Sequence, residues 1–335
     1  MRTEYPKEAV CYFEGIGMKD TASAASHTEK LAELRTLLSG ALLGKAEAVR
    51  LTLVCLLARG HLLIEDVPGV GKTTLAESLA RLVHGNFRRL QCTADLLPGD
   101  IIGVNVYRPQ FQDFEFRPGP IFSHFLLADE INRSTPKTQS ALLEAMSEGQ
   151  VSVDGKTMPL PEPFLVLATQ NPTEQQGTYP LPESQLDRFL LRLEIGYPSR
   201  EEEKAVLRGE SRRPEQLRPV LSLEQLRDWQ AEVGAVRFDA DLVDYLMALV
   251  EATRVADGVV LGVSPRGGQA LYRAAQSSAL LDGRDYVVPD DIKGLAGPVF
   301  SHRLRLDARA SFGMRSAEAA QRVVEKILAE VEVPV

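Results

Sequence analysis

The chain has 335 residues, 44% apolar and 25% charged, which is enough apolar material for a sizeable core and argues against wholesale disorder. A formal net charge of −8 leaves no general basic footprint for nucleic acid, and no apolar run approaches the roughly 18 residues of a membrane helix. Three scattered cysteines (Cys11, Cys55, Cys92) and five unpaired histidines speak against a disulfide framework and a protein-caged metal. With no signal-like N-terminus, they point to a reduced, cytoplasmic protein.

The length predicts about two domains. Residues 1–27 have weak periodicity and end in the tract TASAASHT, which predicts a mobile N-terminal arm. Leu31, Leu34, Leu37 and Leu38 mark a helix over 30–43, stopped by Gly44, and a second helix is predicted over 46–58. The period then changes. His61 to Glu65 is a short apolar run before a Pro/Gly loop, as expected of a buried strand, and a helix follows over 72–83. Further strands are expected at 87–92, 121–128, 164–168 and 190–195, with a helix at 137–147. Strands alternating with helices predict an α/β core over 28–197, a parallel sheet covered on both faces.

Beyond residue 197 the strand signal disappears. A charged helix at 201–208 leads into a linker rich in proline and arginine at 209–219. Ser222 and Gln225 then form a capping box, Leu242, Tyr245, Leu246, Leu249 and Val250 give an apolar helix face, and Ser264-Pro265 reads as a helix start. Residues 198–335 are therefore expected to be a linker and an all-helical domain.

The strongest chemical signal is Asp66-Val67-Pro68-Gly69-Val70-Gly71-Lys72-Thr73, followed by Thr74. It fits the phosphate-loop pattern G-x-x-x-x-G-K-[ST] except at its first position, where Asp66 replaces glycine. Gly69 and Gly71 let the backbone approach phosphates, and the helix after them adds the positive end of its dipole. Lys72 is expected on the β- and γ-phosphates and Thr73 on magnesium. Downstream, an apolar run ends in Asp129-Glu130. The first acid suits magnesium, the second orients an attacking water. A third apolar run delivers Asn171 to a strand end, where it would contact the γ-phosphate or the water; an Asn-Pro turn explains the same residues. Arg188 would project into a neighbouring subunit's phosphates, or else pair with Asp187 on the surface. Arg266 lies in the first turn of a helix, where the dipole disfavours a cation, so an anion-facing role explains it better.

Taken together, HLLIEDVPGVGKTTLA, FLLADEINRSTPKTQSALLEAM, LVLATQNP, LPESQLDRF, SPRG and VPDDIKGLAGPVFSHRL resemble the MoxR family of AAA+ ATPases, of the helix-2-insert clade, from about residue 31 to the end. The resemblance implies an αβα P-loop core and a helical lid. It makes Asp66–Thr73 the Walker A loop, Asp129 and Glu130 Walker B, Asn171 sensor 1, Arg188 the arginine finger and Arg266 sensor 2. Gly44 and Lys45 fall where the family contacts adenine, and Arg133 takes an intersubunit role. Residues 100–117 match the helix-2 insert, and 149–161 a hairpin before sensor 1. The implied activity is hydrolysis of ATP to ADP with magnesium in a hexameric ring, coupled to remodelling, activation or metal loading of a client protein, with a von Willebrand factor A domain partner.

The insert carries Tyr107, Phe111, Phe114 and Phe116 with two arginines against three acids. Aromatics without a basic excess suit docking a protein better than tracking DNA, although a hairpin packed on its own domain fits equally. Two other readings stand beside the remodelling ATPase. One is a nucleic-acid motor of the same clade, disfavoured by the acidic balance. The other is a nucleotide-gated scaffold with little turnover, disfavoured by the intact set Glu130, Asn171 and Arg188.

Overall fold

The computed structural model describes residues 21–171, 177–310 and 316–334. Helix α1 (Thr21–Ala41) begins the described chain. Residues 21–27, expected in a mobile arm, are instead its opening turns. The tract is rich in alanine, the best helix former, and holds neither proline nor glycine to interrupt it. The rest of the expected arm, residues 1–20, lies outside the described residues. Helix α2 (Ala46–Leu57) follows, then strand β1 (Leu62–Glu65), helix α3 (Lys72–Leu82) and strand β2 (Phe87–Gln91). A short helix α4 (Pro98–Ile102) leads into an antiparallel hairpin of β3 (Gly103–Arg108) and β4 (Asp113–Pro118), where the insert was expected.

Strand β5 (Phe125–Asp129) and helix α5 (Pro136–Glu148) come next. The strand starts four residues later than the apolar run suggested, because the Ser123 hydroxyl donates to the Pro120 carbonyl at 2.9 Å and closes a turn. A second hairpin, β6 (Gln150–Val153) and β7 (Lys156–Pro159), turns at Asp154-Gly155. Both turn residues have positive φ, 49° and 76°, as the tightest hairpin turns require. Strand β8 (Leu165–Gln170), a one-turn helix α6 (Glu183–Leu186) and strand β9 (Leu191–Leu193) complete this part.

Five strands form one parallel sheet in the order β2-β5-β8-β1-β9. Their apolar runs are unbroken because both faces are covered. Leu62, Ile64, Leu127 and Leu167 enter one core with α1, α2 and α3. Leu63, Leu126 and Val166 enter the other with Leu142 and Leu143 of α5. The chain leaves β1 toward the β2 side, whereas after β8 it crosses to β9. The crevice outside the carboxyl ends of β1 and β8 is therefore the topological switch point, where open α/β sheets bind ligands.

The remaining chain is largely helical: α7 (Arg200–Leu207), α8 (Leu223–Glu232), α9 (Ala240–Val255), α10 (Pro265–Leu281), α11 (Pro289–Phe300) and α12 (Ser316–Glu330). The Ser222 capping box forms as expected, with Gln225 N–H donating to the Ser222 hydroxyl at 3.2 Å and Ser222 N–H donating to the side-chain Oε1 of Gln225 at 3.2 Å. One element lies outside that reading: β10 (Val259–Leu261) and β11 (Arg305–Leu306) pair as a short antiparallel ribbon. Strands of three and two residues display no period. The helical part is tied to the core. Gln230 Nε2 of α8 donates to the Leu56 carbonyl at 2.6 Å, and the His27 ring lies 5.4 Å from buried Trp229.

Candidate active site

The loop after β1 turns on two glycines. Gly69 has φ +86°, and Gly71 has φ +96° where a Cβ would also lie 2.6 Å from Leu42 Cδ1. Both conditions call for glycine. Gly71 is the N-cap of α3 and carries no side-chain cap, so the first-turn amides are free to meet an anion. Asp66, the departure from the motif, is 8% exposed. Its carboxylate accepts from Val67 N–H at 2.8 Å, Ile195 N–H at 2.7 Å and Gly196 N–H at 2.5 Å. It therefore anchors the loop to the chain leaving β9. Asp66 does not line the cavity around Lys72, and its carboxylate is engaged by the protein's own backbone, a role that glycine lacks the atoms to fill.

A cavity of about 400 Å³ is lined by Gly69, Gly71, Lys72, Thr73 and Thr74 on one side, with Asp129, Glu130 and Asn171 facing them. Pro68 also lines it; Val67 and Val70 do not. The Lys72 ammonium donates to the Asp66 carbonyl at 2.6 Å, which leaves two further donors. Burial holds its pKa below the ordinary lysine value, against the pull of Asp66, Asp129 and Glu130.

Asp129 ends β5. One of its oxygens accepts from the Thr169 hydroxyl at 2.7 Å, the other from Arg89 at 2.6 Å. Glu130 follows with φ 57°, a left-handed conformation uncommon outside glycine. This turn aims its side chain at Gln91 Nε2, 3.0 Å away, and Arg133, 3.1 Å away. Arg89, Gln91 and Thr169 escaped the sequence reading. The only available signal was the polar pattern of β2, and it acquires meaning once Gln91 is paired in register with Asp129.

Other expected residues lie elsewhere. Gly44 and Lys45 line a second cavity of about 640 Å³ with Arg192, Glu194, Gln321 and Arg322, between the sheet and the helical part. Lys45 Nζ donates there to the Tyr197 carbonyl at 2.7 Å. Arg188 and Arg266 sit at the opposite, amino-terminal edge of the sheet. Arg188 donates to the Leu143 carbonyl at 2.6 Å and to Ser147 Oγ at 3.0 Å, and does not pair with Asp187. Arg266 is exposed, and adds to the depression of the pKa of His61, which immediately precedes β1. Neither arginine lines the cavity around Lys72.

Hairpin β3–β4 presents Tyr107, Phe111 and Phe114 at 50%, 67% and 68% exposure. Arg108 lies over the Phe111 ring at 4.9 Å and pairs with Asp113 at 2.5 Å, so its charge is already matched. Phe116 instead packs edge-on against Phe122 at 5.7 Å. Asn105 ties the hairpin to Asp154 in the second hairpin at 2.5 Å. Among the described residues no cluster of three or more His, Cys, Asp or Glu could cage a metal, and no helix is long and apolar enough to cross a membrane.

Residues 61–191 match the family model described as ATPase family associated with various cellular activities, and residues 251–327 match the AAA lid domain. The chain is 52% identical over 296 residues to the protein YeaC of Bacillus subtilis, covering 88% of this chain and 92% of that one. It is 45% identical over 303 residues to Chaperone MoxR1 of Mycobacterium tuberculosis, covering 88% and 79%. A crystal structure from Cytophaga hutchinsonii superposes with a TM-score of 0.86 at 37% identity, covering 94% and 98% of the two chains.

Proposed function

The chain belongs to the MoxR family of AAA+ ATPases, and from that premise we propose that it hydrolyses ATP in a ring whose sites are shared between subunits, and spends the energy on remodelling a client protein. One observation supports the hydrolytic part above others. A single cavity gathers uncapped helix amides, Lys72 and the Thr73 hydroxyl on one wall and Asp129, Glu130 and Asn171 on the other.

The β- and γ-phosphates lie against the glycine loop and the first turn of α3, where amides and dipole offset their charge. Lys72 keeps its bond to the Asp66 carbonyl and turns its remaining donors to phosphate oxygens. The oxygen donors Thr73 and Asp129 suit magnesium, a hard cation that keeps several waters. Each Asp129 oxygen retains a lone pair beside its present partner, enough to hold a metal-bound water. Bound there, magnesium would offset charge on the phosphates. Glu130 orients the attacking water and accepts its proton, and Asn171 fixes the same water or the γ-phosphate.

Arg188 and Arg266 lie across the sheet from Lys72, so each serves the phosphates of a neighbouring subunit. The ring is a hexamer by likeness to the family. The aromatic hairpin β3–β4 docks the client, since its matched charges suit protein better than nucleic acid. A von Willebrand factor A domain protein is the expected partner. The nucleoside end of ATP reaches the Gly44–Lys45 cavity, beside the end of β9 to which Asp66 anchors the loop.

The test is Arg188→Ala and Arg266→Ala measured for turnover and for binding of a fluorescent ATP analogue. Turnover falls about 10³-fold or more with Arg188→Ala while binding stays within about two-fold. Loss of binding in step with turnover would place these arginines at their own subunit's nucleotide instead.

A further inference from the structure

Arg188 and Arg266 come from different parts of the chain, the first from the loop before β9 and the second from α10, yet one carboxylate joins their supports. Asp187 Oδ1 accepts from Arg303 Nε at 2.8 Å, and Asp187 Oδ2 accepts from Ser264 Oγ at 2.9 Å. Ser264 is the N-cap of α10, accepting from Gly267 N–H at 3.1 Å, and Arg266 lies in the turn that it caps. Asp187 is the chain neighbour of Arg188. Arg303 is 5% exposed, and its guanidinium also donates to the carbonyls of Phe189 (2.5 Å), Leu190 (3.1 Å) and Val299. One buried cation thus stitches the backbone around Arg188 to the end of α11.

A buried ion pair is a poor device for stability alone, because apolar residues of like volume serve as well; its directional bonds fix an orientation. Both Asp187 oxygens are engaged, one by Arg303 and one by Ser264, and Arg188 is instead aimed by Leu143 and Ser147, with no carboxylate paired to it among the described residues.

We propose that Asp187, gripped by Arg303 and Ser264, is a positioning residue that holds Arg188 and Arg266 as one rigid pair of cations for the neighbouring subunit's phosphates. The inference rests on the shared-site reading above. It adds that the helical domain sets the aim of both arginines through this junction, so tilting that domain misaligns them together. A misplacement of about 1 Å in such a positioning group costs up to about 100-fold in rate.

The test is subunit mixing in the full-length protein. Asp187→Asn alone lowers turnover by about 10-fold to 100-fold, with KM for ATP, ADP affinity and ring mass by sedimentation unchanged, because its own phosphate loop lies at the other edge of the sheet. Mixed equally with Lys72→Ala subunits, which cannot use ATP but carry an intact pair, the Asp187→Asn subunits recover turnover several-fold. A merely unstable variant gains nothing from such a neighbour. Ser264→Ala provides the second variant, with a smaller loss and the same recovery. Arg188→Ala mixed with Lys72→Ala is the control. If that control recovers and neither Asp187→Asn nor Ser264→Ala does, or if both keep full turnover alone, the positioning role is overturned and the shared site stands. If the control itself fails to recover, the shared-site reading falls and this inference with it.

Discussion

Lys72 and Arg188 sit at opposite edges of one parallel sheet, the lysine after the carboxyl end of β1 and the arginine before the amino end of β9. A strand rises about 3.3 Å per residue, so β1 with its flanking turns separates them by well over a side chain's reach. No rotamer change brings the arginine to its own subunit's phosphates. The proposed shared site rests on this separation.

Glu130→Gln removes the carboxylate proposed to accept the water proton while leaving the loop and Lys72 in place. Turnover falls about 10²-fold to 10⁴-fold, and filter binding still detects ATP on the protein. A variant that hydrolyses at the unaltered rate assigns the water to another residue.

Asp66→Gly restores the residue that the motif pattern prescribes, and is expected to damage the protein. Three backbone amides lose their acceptor, and an unsatisfied buried group costs about 1–3 kcal/mol. Urea unfolding measures the loss. ATP affinity falls as well, because the loop is no longer tied to Gly196.

Acid should destabilise the fold through His61. The ring accepts from Val166 N–H at Nδ1, 3.1 Å away, and donates from Nε2 to the Met146 carbonyl, 2.9 Å away, so it is neutral. Burial pulls its pKa from 6.5 down to about 4. The unfolded chain binds the extra proton first, so this contribution is intact above about pH 6.5 and is lost as pH falls toward 4. A shift of that size corresponds to about 3 kcal/mol. Buried His302, also held well below its ordinary pKa by burial, adds a loss of the same sign. His61→Phe flattens the dependence of urea midpoint on pH between 4 and 6.5.

Phe111→Ser with Phe114→Ser removes the two most exposed aromatics of the β3–β4 hairpin. Basal turnover stays within about two-fold, because neither ring touches the cavity around Lys72. A client retained by Glu130→Gln rings is released when the two substitutions are added, as quantitative mass spectrometry of the captured proteins reads. Undiminished capture moves the docking surface elsewhere.

The sheet and the phosphate loop were legible because buried strands and a glycine loop write themselves locally: β1, β5 and β8 are continuous apolar runs, and Gly69, Gly71, Lys72 and Thr73 are neighbours in the chain. What escaped was non-local. Arg89 reaches Asp129 across 40 positions, and Arg303 reaches Asp187 across 116, contacts that only strand pairing and domain packing create. Asp66 read as a flawed glycine because its partners, Ile195 and Gly196, follow the neighbouring strand β9, 129 and 130 positions along the chain. The early start of α1 escaped for the opposite reason. Its alanines favour helix without marking a face.

The most direct measurement of the shared site is ATPase activity per subunit against protein concentration, with ring mass followed by sedimentation over the same range. Activity per subunit should fall in parallel with dissociation of the ring, because each Lys72 loses the Arg188 of its neighbour. Activity per subunit that stays flat while the rings come apart would contradict the account.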